Sequence, residues 1–181
     1  MVDEYEWQTR RDRINKKLQS LKPAWKIIKY ASDLDVSSLN GHAVEEYPTA
    51  SGPADYALFA KGRLLGILEA KRVKVGPQNV LEQAKRYAKG TYGGCGNWDG
   101  YRVPFLYASN GGVIWFLDVR NPRNLSRRLS CFHTADAMTE LLESGPAADF
   151  QALMAKPVRI RNLRPYQEEA IHALEAAMAK G

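Results

Sequence analysis

The chain has 181 residues, of which 45% are hydrophobic, 10% aromatic and 25% charged. This composition is typical of one globular domain, or of one domain with part of a second, and excludes a largely disordered or fibrous chain. The 26 lysine and arginine residues outnumber the 20 aspartate and glutamate residues, and the formal charge of +6 favours a polyanionic partner such as nucleic acid.

The first predicted element is an amphipathic helix over residues 6–21, which Pro23 ends. Steps of four and three residues along it predict a stripe that consists of Trp7, Arg11, Ile14, Leu18 and Leu21. Its other faces are basic, which indicates either a solvated helix surface or a surface that contacts DNA phosphates. The candidate phosphate contacts on this helix are Arg10, Arg11, Lys16 and Lys17.

Strands are predicted near residues 44–48, 54–60 and 64–71, and the turn Lys61-Gly62-Arg63 joins the last two into a hairpin. Further elements are predicted at these places: helices over 78–89, from about 134 and over 165–180, and strands near 104–108 and 113–118. The segment 120–134 reads as a basic loop, where Arg127 and Arg128 are further candidate DNA contacts. The predicted fold class is α/β, with a mixed central β-sheet flanked by helices.

Chain termini and cysteines bear on the cellular compartment. Cys95 and Cys131 are the only cysteines, too few for a disulfide scaffold. The N-terminal residues are charged and no run of 18 apolar residues occurs, so neither a signal peptide nor a membrane span is predicted. We therefore expect a soluble, cytoplasmic protein that has no membrane partner.

The hairpin carries the residues with the clearest chemistry. In an antiparallel hairpin, the residue numbers of every facing pair add up to the same value. A turn centred on Gly62 sets this sum near 124, so Asp55 should face Glu69. Lys71 lies two residues beyond Glu69 and should project from the same face. Two facing carboxylates repel each other unless a cation lies between them, and their oxygens suit magnesium. The alternative is a salt bridge at the strand end between Glu69 and Lys71 or Arg72.

The segments GPADY, with Asp55, and ILEAK, with Glu69 and Lys71, resemble the signature of PD-(D/E)xK nucleases. The surrounding segments EYPTASGPADYALF, GILEAKR, EQAKRYA and PFLYASNGGVIWF follow the order found at the N-terminus of the R (restriction and translocation) subunits of type I restriction enzymes. The resemblance covers nearly the whole chain. It implies the mixed sheet of a PD-(D/E)xK nuclease and an endonuclease that cleaves double-stranded DNA after ATP-driven translocation.

The resemblance also implies roles for particular residues. Asp55, Glu69 and the backbone carbonyl of Ala70 would hold Mg²⁺, while Lys71 would position or deprotonate the attacking water. Gln83 and Tyr87 match the Gln-x-x-x-Tyr of the family and would support Lys71, the water or the DNA backbone, although both positions also fit the surface and core of a helix. Glu46 is a weaker candidate for the metal site or a supporting role.

Residues 1–150 are expected to form the nuclease domain, and residues 151–181 a linker and the first helix of a helicase-like motor of superfamily 2. LRPYQEEAI is similar to the Q-motif of such motors, in which the glutamine, here Gln167, contacts adenine. The chain has no GxxxxGK[ST] loop, so ATP is expected to act only in an intact subunit.

The expected partners besides DNA are the methyltransferase and specificity subunits of a type I restriction complex. The alternative function is a non-catalytic module of that complex, which binds DNA or docks the subunit onto its partners.

Overall fold

One seven-stranded mixed sheet organises the part of the chain that the computed structural model describes, residues 6–71, 81–144 and 164–178. Its strands neighbour each other in chain order and are β1 (Lys26–Lys29), β2 (His42–Tyr47), β3 (Ala54–Ala60), β4 (Arg63–Ala70), β5 (Phe105–Ser109), β6 (Ile114–Asp118) and β7 (Arg127–Leu129). The β1–β2 and β4–β5 pairs are parallel, and the other pairs are antiparallel. The predicted α/β class and mixed sheet are confirmed.

The helices lie close to the predicted places. They are α1 (Glu6–Thr9), a π-helical turn (Arg10–Ile14), α2 (Asn15–Gln19), α3 (Leu81–Gly90), α4 (Ala135–Glu143) and α5 (Pro165–Met178), with a short 3₁₀ turn at Val36–Ser38. Thr134 caps α4, since its Oγ1 accepts a hydrogen bond from the N–H of Ala137 at 3.2 Å. The described residues contain no helix with the length and apolarity that crossing a membrane requires.

Helices cover both faces of the sheet. Helix α3 shares a hydrophobic core with one face, where Ala84 packs in the same cluster as Ile67 and Leu106. On the other face, a Cβ at Gly66 would lie 2.8 Å from the Cε atom of Met138 in α4. The sheet therefore has a core on each side, which explains why β4 is buried along nearly its whole length.

The β3–β4 hairpin has the predicted register at its far end, but its turn is shorter than predicted, because Arg63 already pairs with Ala60. Lys61 and Gly62 have φ angles of 49° and 69°, as a two-residue type I′ turn requires. Tyr56 faces Leu68, which matches the predicted index sum of 124, and the register shifts by one residue between Leu58 and Phe59, nearer the turn. The predicted register therefore holds at the end of the hairpin where Asp55 and Glu69 lie.

Two edge strands were not predicted. β1 has the sequence KIIK, with lysines at both ends, and β7 lies within the segment that was interpreted as a basic loop. Both strands are short, and they occupy the two edges of the sheet, where charged residues are common.

The chain divides into two compact units between Thr139 and Glu140. The sheet belongs to the first unit, and α5 belongs to the second. The predicted domain boundary near residue 150 lies outside the described residues and stays a prediction.

Candidate functional site

Three carboxyl groups form a row across the ends of β2, β3 and β4. β2 and β3 pair Glu45 with Tyr56 and Tyr47 with Ala54, so Glu46 and Asp55 lie at the same level of the two strands, where the φ of Glu46 is 56°. At the same end, the β3–β4 register places Asp55 opposite Glu69. Their side chains differ in exposure, from 67% for Glu46 through 13% for Asp55 to a nearly fully buried Glu69.

Asp55 and Glu69 are connected by hydrogen bonds in both directions between the strands. The N–H of Asp55 donates to Oε1 of Glu69 at 3.1 Å, and the N–H of Ala70 donates to Oδ2 of Asp55 at 2.7 Å. The carboxyl oxygens therefore take the place of backbone acceptors where the β3–β4 ladder ends. Each carboxyl group is held in a defined position by the backbone of the other strand.

The electrostatics of this pair depend on the burial of Glu69, which is 1% exposed. Burial, and after it the negative charge of Asp55, raises the pKa of Glu69 to about 8, and the positive charge of Lys71 acts in the opposite direction. Lys71 follows β4 directly, and its N–H donates to the carbonyl of Ser109 at 2.9 Å. The structure thus brings Asp55 and Glu69 together, and the charge of Lys71 acts on Glu69. The projection of the Lys71 side chain from the same face stays a prediction.

Arg10 reaches this site from the first helix. Its Nη1 donates to Oδ1 of Asp55 at 3.1 Å and its Nη2 donates to Oε1 of Glu46 at 3.4 Å. The guanidinium carbon also lies 5.6 Å from the ring centroid of Tyr56. Arg10 was predicted only as a DNA contact, so its ion pair with Asp55 is a feature that the sequence reasoning missed.

A π-helical turn explains the position of Arg10. The predicted stripe placed Trp7 and Arg11 on the buried face, but Trp7 is 54% exposed. The turn at Arg10–Ile14 adds a residue to the helical repeat, so Thr9, five residues before Ile14, is buried instead. The stripe was therefore wrong at its N-terminal end, and the shift turns Arg10 toward the sheet.

The donor atoms at the site are of the kind that a magnesium ion prefers. Asp55 and Glu69 offer carboxyl oxygens on adjacent strands. Burial raises the pKa of Glu69 most, and the negative charge of Asp55, which a cation would offset, raises it further. Within the described ranges, no group of three or more histidine, cysteine, aspartate or glutamate side chains is arranged to hold an ion. A protein-bound ion at this place would therefore depend on two carboxyl groups, with further ligands from the backbone or water.

Comparisons with known proteins agree with the fold and with the family resemblance of the sequence. Residues 26–142 match the family model described as the second domain of the type I restriction enzyme EcoKI endonuclease subunit. This chain belongs to the family of type I restriction endonuclease subunits. The type I restriction enzyme EcoKI endonuclease subunit of Escherichia coli (strain K12) is 28% identical in an alignment that covers 77% of this chain and 16% of the relative.

A solved structure supports the fold of this family member independently. It is a fragment of a protein described as an HsdR subunit of a type I restriction enzyme from Vibrio vulnificus YJ016. The TM-score is 0.57 at 20% identity, and the match covers 98% of this chain and 33% of the other. The chain therefore spans a minor part of the length of both relatives.

Gln83 and Tyr87, which the sequence resemblance singled out, contact each other on α3. Nε2 of Gln83 donates to the hydroxyl oxygen of Tyr87 at 2.9 Å. The Cε1 atom of Tyr87 lies 4.0 Å from the position of a Cβ at Gly52, in the loop that leads into β3. The pair is thus packed beside the segment that carries Asp55, and its role stays a prediction.

The other cations predicted to contact DNA fall into two groups. Arg11, Lys16 and Lys17 lie on the first helix, where Arg11 pairs with Asp12 and is 64% exposed. Two exposed arginines, Arg127 and Arg128, lie on β7 at the far edge of the sheet. Three strand spacings, roughly 14 Å, separate β7 from β4, so the structure does not bring these two arginines to the carboxylates.

Gln167 lies in the second unit, at the start of α5. Its Oε1 accepts a hydrogen bond from the N–H of Arg164 at 3.0 Å, and its own N–H donates to the carbonyl of Arg164 at 2.8 Å. This reciprocal arrangement caps the helix. The predicted contact of Gln167 with adenine stays a prediction.

Proposed function

We propose that this chain is a metal-dependent endonuclease domain that hydrolyses phosphodiester bonds of double-stranded DNA. The observation that carries the proposal is the pair of the buried Glu69 and the partly buried Asp55, held by reciprocal hydrogen bonds at one end of a hairpin and subject to the charge of Lys71. Buried carboxyl groups with a raised pKa are costly for a fold and are common at functional sites. The family supports a nuclease as the class of enzyme.

Asp55 and Glu69 would hold Mg²⁺, together with the carbonyl oxygen of Ala70. When bound, the ion would polarise the phosphate and lower the pKa of a bound water. Asp55 is prepared for this role because its Oδ2 is fixed by the N–H of Ala70. Glu69 would bind the ion as a carboxylate, so it would release the proton that its raised pKa lets it keep at neutral pH.

Lys71 would act on the attacking water. In hydrolysis the water oxygen forms a bond to phosphorus, the bond from phosphorus to the leaving sugar oxygen breaks, and that oxygen takes up a proton. A lysine ammonium near the phosphate can position the water and offset the charge that develops on the phosphoryl oxygens. Lys71 suits this role because its backbone is fixed to Ser109, directly after the strand that carries Glu69.

DNA would be held mainly through its phosphates. The first helix, from which Arg10 reaches the carboxylate site, also carries Lys16, Lys17 and Arg11, and such cations bind the DNA backbone with little sequence preference. Arg127 and Arg128 would contact a duplex farther along its length. Recognition of a base sequence would then be left to a separate specificity subunit.

The proposed setting is a type I restriction complex in the cytoplasm, with methyltransferase and specificity subunits as partners. DNA cleavage would follow ATP-driven translocation by a motor in the intact subunit. Gln167 would contact adenine only in that intact subunit.

One observation favours the alternative, a non-catalytic module that binds DNA or docks the subunit onto its partners. Arg10 already forms an ion pair with Asp55 at 3.1 Å. A carboxylate with such a partner can have a purely structural role. Arg10 does not explain the buried Glu69 in this way, because its two hydrogen bonds described above go to Asp55 and Glu46.

The test uses the intact subunit assembled with its partners. Lys71→Ala and Glu69→Gln should lower DNA cleavage by about 100-fold or more and leave ATP-driven translocation unchanged. Lys85→Ala is the matched control, because Lys85 lies on α3 and pairs with Glu82 rather than with the site. Cleavage at the wild-type rate in both site variants would rule out the nuclease proposal and leave the docking alternative.

A further inference from the structure

We propose that the guanidinium group of Arg10 is a resident cation of the site, which a divalent metal ion must displace from Asp55 in order to bind. This inference rests on the proposed function, because it assumes that Asp55 is a metal ligand. It adds a residue from the first helix to the control of metal binding. Arg10 would then be a positioning residue whose departure prepares the carboxylate for the ion.

The contacts of Arg10 are those of a bound cation. Its two terminal nitrogens bridge Asp55 and Glu46, which lie on the neighbouring strands β3 and β2. Two facing carboxylates repel each other, and a cation between them removes that repulsion. The side chain of Arg10 is only 19% exposed, so the ion pair with Asp55 is partly shielded from water.

The helix is built in a way that delivers this side chain. Asn15, at the start of α2, accepts a hydrogen bond from the hydroxyl of Tyr56 at 2.6 Å and donates to Glu45 at 3.3 Å. These bonds attach the helix to β2 and β3 just beyond the π-helical turn. The turn then rotates Arg10 over the ring of Tyr56 and toward Asp55, and such turns occur often at functional sites.

Arg10 and a metal ion would compete for the same oxygen. Oδ1 of Asp55 accepts from Arg10, while Oδ2 accepts from the N–H of Ala70. An ion bound to Oδ1 at the usual distance for magnesium would lie within roughly 5 Å of the guanidinium. Two positive charges at that distance repel strongly in a partly buried site, and arginine cannot lose its charge by deprotonation. The ion is therefore expected to bind in exchange for Arg10.

The test measures the binding of Mn²⁺ to the full 181-residue chain by titration calorimetry. Arg10→Gln should bind Mn²⁺ about tenfold more tightly than the wild type, which corresponds to about 1.4 kcal/mol. Arg11→Gln is the matched control, since it removes one positive charge from the same turn but pairs with Asp12 instead of the site. It should bind within about twofold of the wild type. Arg10→Lys serves as a second variant if Arg10→Gln unfolds. Its affinity for Mn²⁺ should lie between that of the wild type and that expected for Arg10→Gln.

A second measurement uses the wild-type chain and so does not depend on the folding of any variant. Addition of Mg²⁺ should shift the ¹⁵N guanidinium resonance of Arg10 and leave that of Arg11 unchanged. Equal or weaker Mn²⁺ binding by the Arg10 variants, with clear binding by the wild type, would overturn the exchange and leave the metal site intact. Absence of binding by the wild type and all variants at millimolar Mn²⁺ would overturn both this inference and the proposed metal dependence.

Discussion

Asp55 and Glu69 stabilise each other's strand through their side chains, although both are acidic. Glu69 accepts a hydrogen bond from the N–H of Asp55. Asp55 accepts one from the N–H of Ala70, the residue after Glu69. The two carboxyl groups thus have a structural role that is independent of any ion. Variants at these positions have to be chosen so that this role and the proposed catalytic role can be separated.

Asp55→Asn and Asp55→Ala should differ in stability. Asparagine keeps an oxygen that can accept the N–H of Ala70, whereas alanine leaves this buried donor without its acceptor. Such a loss costs about 1–3 kcal/mol, so we expect Asp55→Ala to have the lower free energy of unfolding by about that amount in urea. Equal stability of the two variants would mean that the bond to Ala70 contributes nothing. Both variants should abolish cleavage if Asp55 is a metal ligand.

The metal-free chain should become less stable as the pH rises from about 5 to 8. The pKa of Glu69 is about 8 in the folded chain, and its ordinary value in an unfolded chain is about 4.3. Between these values the folded state keeps a proton that the unfolded state has lost. The free energy of unfolding therefore decreases with pH, by at most about 1.4 kcal/mol per unit for this one group.

Glu69→Gln supplies the comparison for that pH dependence. Glutamine keeps an oxygen that can accept the N–H of Asp55 but does not titrate. Urea unfolding at pH 5, 6.5 and 8 should give a smaller decrease for the variant than for the wild type. Parallel curves for the two proteins would show that Glu69 does not keep a proton in the folded state.

The sequence predicted that Asp55 faces Glu69, but it did not predict the contact that Arg10 makes with Asp55. A turn centred on Gly62 and the side-chain alternation of a strand are local rules, and together they predicted Asp55 opposite Glu69. The structure reaches that pairing by another route, through a two-residue turn and a one-residue register shift between Leu58 and Phe59. The partner of Asp55 on the first helix could not be found in this way, because the π-helical turn changes the helical repeat after Thr9.

The same distinction explains the missed edge strands. β1 and β7 have few apolar residues, and they form because neighbouring strands offer free edges. That pairing depends on contacts between distant parts of the chain, which a local pattern does not contain.

Gly62→Ala should destabilise the hairpin that positions the site. Gly62 has a φ of 69°, and a Cβ there would lie 2.5 Å from the carbonyl oxygen of Ser37. The left-handed backbone alone costs alanine roughly 1–2 kcal/mol, and the contact with a backbone atom adds to this. Gly93→Ala is the control, because a Cβ at Gly93 would have no neighbour within 4 Å. A free energy of unfolding in urea that falls equally in both variants would contradict the role assigned to this turn.

Tyr87→Phe tests whether the Gln83–Tyr87 pair acts in cleavage or only in packing. The phenylalanine ring can fill the space beside Gly52, so the free energy of unfolding should fall by no more than about 1 kcal/mol through loss of the bond to Gln83. If the pair supports Lys71 or the DNA backbone, cleavage by the intact subunit should fall about tenfold.

Gln83→Ala should have a similar effect, and the double variant should be no worse than either one, because both changes remove the same interaction. Lys85→Ala on the same helix should cleave at the wild-type rate. Wild-type cleavage in all of these variants would assign the pair to helix packing alone.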